Sequence, residues 1–357
     1  MMEKIENDSN LTNTQRIEYF DLLNILAIIA VIAMHANGIV HGNPKIRAWN
    51  TSLIVDCICY WAVPVFLMLS GATLINYRKK YDTKTFFKKR FLKVLIPFVF
   101  WAIFMIIWKI NTKQINYDQI SSIKKFLNFF LTNKEEATYY FMFEVLGIYL
   151  TMPFLSLVAK EENRKTLWLT VLFIFIFNSL LAKVLPVIGI TYNNSLTVQV
   201  GGYIIFVLLG YLLSTQDLTK KQKIALYTFA IMGLLFRYII TFILSKKTGK
   251  VIKNTWGYDQ WHSILLASAV FIFVKGLKIN KKIKNNKNLV KILKDVSSCS
   301  FGVYLIHMIV MYYEISILNI NILSIQWRTA GIFTTYLITL VIVYVLKKIP
   351  ILKKIVP

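Results

Sequence analysis

About ten stretches of this chain run for roughly 20 residues with almost nothing but apolar side chains, and about 20 such residues are what a helix needs to cross a bilayer. In hydrocarbon a backbone has no water to bond, so these runs must close their hydrogen bonds within their own helices. The chain is therefore expected to be all-α, a polytopic membrane helical bundle of about ten transmembrane helices. Candidate spans lie at about 20–40, 52–77, 91–110, 138–158, 166–184, 199–214, 222–245, 261–278, 299–318 and 329–347, the sixth being the shortest. Segment 115–131 has apolar residues at helical spacing with polar ones between, which suits an interfacial helix better than a span. The opening twenty residues are polar and lack a small-residue cleavage site, so the first run reads as a retained anchor. The expected division is a cytoplasmic N-terminal segment at 1–19, a transmembrane domain at 20–350 and a cytoplasmic tail at 351–357.

Of the 357 residues, 56% are hydrophobic and 17% charged, where soluble domains carry about a quarter charged. Net charge is +25. No basic domain stands apart from the spans, so nucleic acid is not an expected partner. The lysines instead gather between apolar runs, as cytoplasmic loops require. Arg78, Lys79, Lys80, Lys84, Lys88, Lys89, Arg90 and Lys93 lie between spans two and three. Lys275, Lys278, Lys281, Lys282, Lys284, Lys287, Lys291 and Lys294 lie between spans eight and nine, and Lys347, Lys348, Lys353 and Lys354 close the chain. With ten spans and both termini cytoplasmic, all three groups fall on one side, giving roughly 28 Lys/Arg inside against about 13 outside. Cys57, Cys59 and Cys299 show no metal-ligand spacing and read as small apolar residues, so no metal site is expected.

Ionisable residues at membrane depth are candidates for function. Counting about 1.5 Å per residue places His35, Asp56, Glu144 and Arg237, from four different helices, within about 6–12 Å of the outer boundary. One reading is mutual neutralisation, with Arg237 paired to a carboxylate and His35 satisfied in the core. The other is a polar cavity open to the outside, with His35 as proton acceptor and Glu144 or Asp56 orienting it. A second layer lies nearer the cytoplasm: His307, Ser70 with Gly71, and Arg90 at the mouth of span three. Counted from the inner end of span nine, His307 sits roughly 10 Å from His35 in depth, which sets the two apart. Ser70-Gly71 also suits close helix packing. Trp256, Trp261 and His262 fit an aromatic interface belt, Asn178 fits interhelical bonding, and Pro64, Pro97 and Pro153 are tolerated kinks.

These residues fall in segments that resemble the acyltransferase family 3 of membrane proteins, among them bacterial O-acetyltransferases of surface polysaccharide. The segments are RIEYFDLLNILAIIAVIAMH (Arg16 to His35), VPVFLMLSGATL (Val63 to Leu74), FFKKRFLKVLIPFVFW (Phe86 to Trp101), YYFMFEVLGIYLTMPFL (Tyr139 to Leu155), GGYIIFVLLGYLL (Gly201 to Leu213) and SCSFGVYLIH (Ser298 to His307), in the family's order. Asn24 stands where the family has Arg, with ten residues between it and the histidine, so either another cation substitutes, Arg16 and Arg237 being the candidates, or activity is reduced. Tyr139-Tyr140-Phe141 replaces the usual His-Leu-Trp and marks Tyr140, with Arg237, for the acceptor site.

The resemblance implies a bacterial cell-membrane enzyme with no bound cofactor. It would move an acyl group, commonly acetyl, from cytoplasmic acyl-CoA to a hydroxyl of a surface polysaccharide or its lipid-linked precursor. His35 would act as base, oriented by Glu144 or Asp56, while Arg90, Ser70 and His307 line the donor channel. Lys88, Lys89 and Lys93 offer further charge to CoA phosphates, although ordinary inside-positive loops explain them too. Two other readings fit the pattern. One is a transporter or flippase of a small acid or lipid-linked glycan, which ten spans with polar residues also suit. The other is a structural subunit of a polysaccharide synthesis complex.

Overall fold

The structure, a computed structural model, describes residues 18–200, 202–277 and 286–357, with the backbone alone at Val187 and Lys287. Arg16, Gly201, Lys278, Lys281, Lys282 and Lys284 lie outside the described residues. Among the described residues all regular structure is helical. In chain order the main helices are α1 (Glu18–Ala36), α2 (Arg47–Cys59), α3 (Ala62–Leu74), α4 (Thr83–Arg90), α5 (Ile96–Asn111), α6 (Ile123–Leu131), α7 (Tyr140–Val158), α8 (Arg164–Phe173), α9 (Ile204–Thr215), α10 (Lys220–Thr248), α11 (Trp261–Gly276), α12 (Lys287–Ile317) and α13 (Ile325–Lys348).

Eight helical runs are long and apolar enough to cross a membrane, and α9 and α11 are shorter apolar helices. The short sixth segment has a physical reason. Every residue of α9 from Ile204 to Leu213 is buried, so it is a core helix wrapped by protein, as apolar stretches of 10–14 residues tend to be. The expected span 52–77 is two helices meeting at Tyr60-Trp61, with Pro64 in the first turn of α3, where its missing N–H costs no helical bond. Ahead of α5 the helix widens into a π turn over Phe91–Leu95, immediately before Pro97. Such bulges and prolines are the usual sites of helix bending. The expected interfacial segment contains α6, which exposes Ile123, Leu127 and Leu131 at i, i+4, i+8.

Helix α1 is central, packing against α2, α3, α11, α12 and α13. Helices α3 and α9 approach so closely that a Cβ on Gly71 would sit 1.9 Å from the Val207 carbonyl oxygen, and one on Gly210 would sit 1.9 Å from that of Met68. Outward faces are apolar instead of charged: Phe100, Ile103, Phe104 and Ile107 on α5, and Phe333, Leu337, Val341 and Val345 on α13, are exposed. A surface of that kind needs lipid around it, and the chain is a multi-pass membrane protein.

Candidate active site

Two cavities open toward opposite ends of α1. The first, of about 450 Å³, is lined by Asn24 near the start of α1 and by Ser70, Arg90, Lys93, Tyr149 and Ser297. The second, of about 230 Å³, is lined by His35 at the far end of α1 and by His41, Asp56, Tyr60, Tyr140 and Trp256. Phe66, Phe141 and Tyr304 line both, so a wall of three aromatic rings is all that is common to the two chambers. Tyr304 is pinned there because its hydroxyl donates to the Thr138 carbonyl at 2.5 Å, while Tyr139 donates in return to the Leu305 carbonyl at 2.5 Å. These two bonds fix α12 against the start of α7.

The imidazoles of His35 and His307 lie side by side, ring centroids 5.3 Å apart. The depth estimate that separated them by roughly 10 Å is thus corrected. Helix α12 begins at Lys287, twelve residues before the boundary assumed for span nine, so a depth counted from that boundary does not fix where His307 sits along the bundle. His307 Nδ1 sits 2.7 Å from the Tyr304 carbonyl oxygen and 3.2 Å from that of Val303. Both partners are acceptors, so Nδ1 carries the proton and Nε2 presents its lone pair. That Nε2 is buried and has no hydrogen-bond partner among the described residues. His35, by contrast, is partly exposed and faces the second cavity.

The carboxylates take other roles than the expected one. Asp56 Oδ2 accepts from Arg237 Nη2 at 2.5 Å, and the Asp56 carbonyl accepts from Nη1 at 3.3 Å. The guanidinium also lies 3.4 Å over the Tyr60 ring. Mutual neutralisation is therefore what these two groups do, although Asp56 still lines the His35 cavity. Glu144 lines neither cavity. It stands one turn further along α7 than Tyr140, where Gly202 leaves room for it, its Oε2 4.0 Å from the position of a Cβ there. The structure thus gives His35 no carboxylate on the Glu144 side and an imidazole neighbour instead. Tyr140 does line the His35 cavity and bonds Tyr258.

At the opposite end Asn24 is tied to α12, donating to the Ser297 carbonyl at 2.9 Å and its hydroxyl at 3.1 Å. The cations that share its cavity are Arg90 and Lys93, whereas Arg237 is committed to Asp56. Lys89 instead sits 3.8 Å above the Tyr81 ring, and Lys88 is exposed. Ser70 lines the cavity while Gly71 serves the α3–α9 contact, so the pair divides between cavity lining and packing. Asn178 bonds the Val198 backbone in both directions and is a loop clamp, not interhelical glue. His262 is satisfied by Gln260 at 2.9 Å, and only Trp256 of its aromatic group reaches the cavity.

Sequence reasoning passed over His41, Tyr60, Phe66, Tyr258 and Tyr304. Tyr304 had a signal, since it precedes His307 by three residues and so shares its helix face. His41 sits on a turn just beyond α1, in a cavity; burial and then the Lys253 ammonium hold its imidazole below the usual histidine range. Neither a curated protein nor a solved structure matches the chain. The model of the acyltransferase 3 family, an acyltransferase domain, matches residues 17–346. That span holds His35, His41, His307 and the three rings common to the two cavities, and the chain belongs to this acyltransferase family.

Proposed function

We propose that the protein crosses the bacterial cell membrane ten times with both termini cytoplasmic. In this reading it transfers an acetyl group from cytoplasmic acetyl-CoA to a hydroxyl of a surface polysaccharide or its lipid-linked precursor. The observation that carries the reading is the pair of cavities at opposite ends of α1, sharing Phe66, Phe141 and Tyr304 as common lining, with His35 in the second cavity and His307 packed beside it. Arg90 and Lys93 complement the phosphates of CoA in the first chamber, Arg90 by its forked donors. They stand in for the family's arginine at the Asn24 position. The thioester reaches the aromatic wall past Ser70. In the second chamber Tyr60, Tyr140, Trp256 and Tyr258 offer ring faces and hydroxyls to a sugar.

His35 takes the proton of the acceptor hydroxyl as its oxygen bonds to the thioester carbon. The tetrahedral intermediate then expels the CoA thiolate, and the imidazolium returns the proton to that sulfur. When His35 is charged, its second N–H needs an acceptor. His307 Nε2, held unprotonated by the two carbonyls on Nδ1, is the group placed to receive it. His307 is thus the orienting partner expected of Glu144, and otherwise its buried nitrogen would cost about 1–3 kcal/mol with nothing in return.

Purified protein in nanodiscs, given labelled acetyl-CoA and candidate glycans, tests this. His35→Ala is expected to lower transfer about 10²–10⁴-fold with the protein still folded. Transfer at the unsubstituted rate would remove His35 from the chemistry. Glycan movement across the nanodisc or vesicle membrane without acetyl-CoA would favour transport instead.

A further inference from the structure

Beside the His35 cavity lies a separate open basin of about 410 Å³, built from the turn after α1 and the turn after α10. His41, Lys45, Gly249, Lys250 and Lys253 line it, and His41 lines the His35 cavity as well. The basin is held in shape. Lys246 Nζ donates to the Pro44 carbonyl at 2.5 Å, joining the two turns. Gly249 closes α10 at φ +69°, and Lys45 Cε lies 3.3 Å from where a Cβ would stand there. Lys253 Nζ sits 5.5 Å over the ring of Trp256, which itself lines the His35 cavity.

Three ammonium groups face this basin and, among the described residues, none is paired with a carboxylate. The nearby acids are spoken for: Asp56 by Arg237 at 2.5 Å and Asp259 by Lys183 at 2.8 Å. Inside-positive topology accounts for lysines at the Arg90 end of the bundle. It gives no reason for three unpaired ones at the opposite end, gathered at the mouth of the histidine cavity. A cluster of one sign beside a low-dielectric opening concentrates counter-ions and steers them in. Resting on the acyl-transfer reading, we propose that the acceptor is an anionic glycan: an oxyanion on the sugar, phosphate or carboxylate, docks on Lys45, Lys250 and Lys253 while a nearby hydroxyl passes His41 to reach His35.

The test uses the full chain in detergent with three probes of matched length: an oligogalacturonate, a poly(glycerol phosphate) oligomer and a neutral maltooligosaccharide. Binding is read by thermophoresis, and acetyl transfer by label. At least one anionic probe is expected to bind about tenfold more tightly than the neutral one, and to lose that margin in the K45Q/K250Q/K253Q variant. The margin should also shrink at about 0.5 M salt, since the groups are exposed. Which anion binds better tells phosphate from carboxylate. The variant should melt close to the parent protein, because among the described residues none of the three side chains donates a hydrogen bond or joins an ion pair, and the Lys253 contact over Trp256 is the main one it gives up. Equal binding of the neutral probe, or unchanged anion binding by the variant, overturns the proposal. So does lysine-dependent binding of short-chain phosphatidylglycerol with neither anionic glycan bound. Lysine-dependent anion binding without any acetyl transfer would leave the basin standing and sink the acyl-transfer reading. Transfer to neutral glycan that ignores the lysines would do the reverse.

Discussion

Glu135 has no exposed surface, and neither carboxyl oxygen has a hydrogen-bond partner among the described residues. Its neighbour in sequence, Glu136, has already taken Lys109 at 2.9 Å. Burial pushes the Glu135 carboxyl up to about 7, with its own backbone N–H and then the Lys109 ammonium pulling the other way. A carboxyl raised in this way binds its proton more tightly folded than unfolded, so it favours the fold at low pH. That contribution falls as pH rises from the ordinary carboxylate range, about 4.3, through about 7, and is flat above. Thermal midpoints of the detergent-purified protein should therefore decline across that window. Glu135→Gln, which mimics the protonated form, should flatten this part of the profile and raise the midpoint at pH 8. An unchanged profile in the variant would assign the decline to other groups. The residue bears on the site because Glu135 lies two residues before Ala137, at the turn whose Thr138 carbonyl holds Tyr304.

At the scale of elements, the contact between α3 and α9 sets where Ser70 and the aromatic wall stand. Gly71→Ala or Gly210→Ala would drive a methyl group into a backbone carbonyl 1.9 Å away, and backbone cannot swing aside as a long side chain can. Separating the helices should cost about 1–3 kcal/mol, as overpacking does, and lower the melting midpoint. Gly147→Ala on α7 is the control, because nothing lies within 4 Å of its added methyl; that change should be neutral or stabilising by up to about 1 kcal/mol. Equal midpoints for all three variants would mean the α3–α9 contact gives way freely. These helices also mark how far the sequence could be read. Hydrophobic run length gave the helical bundle and nearly every element. It misplaced the start of α12 because Lys287 to Ser298 carries many polar residues yet continues the helix, and run length registers only the part that looks like lipid-facing helix. With that boundary displaced, a depth count could not bring His307 beside His35. Glu144 shows a related limit: distance along the axis fixes its level, while packing decides that it stands by the Gly202 turn and outside the His35 cavity. A pairing of Arg237 with some carboxylate was one of two readings the sequence left open, because opposite charges at one level in hydrocarbon have few other options; that the carboxylate is Asp56 only the packing shows.

For the whole molecule, the decisive property is that the two chambers lie toward opposite ends of α1. The Arg90 chamber lies where the chain's lysine-rich connections gather, and the His35 chamber at the other end of α1. In the proposed orientation a cysteine at Lys93 is reached only from the cytoplasm and one at Lys250 only from outside. The native thiols interfere little, since Cys57 and Cys299 are buried and Cys59 is half-buried, and all three can first be replaced by alanine. Intact cells treated with a membrane-impermeant maleimide should then label Lys250→Cys and leave Lys93→Cys untouched until the membrane is opened. In opened membranes acetyl-CoA should slow labelling at Lys93→Cys, whose side chain lines the donor cavity, and leave Lys250→Cys at its original rate. Labelling of both positions from outside would reverse or abolish the proposed topology. Protection at Lys250→Cys instead would put the donor in the wrong chamber, and with it the direction of acyl transfer through the Phe66–Phe141–Tyr304 wall.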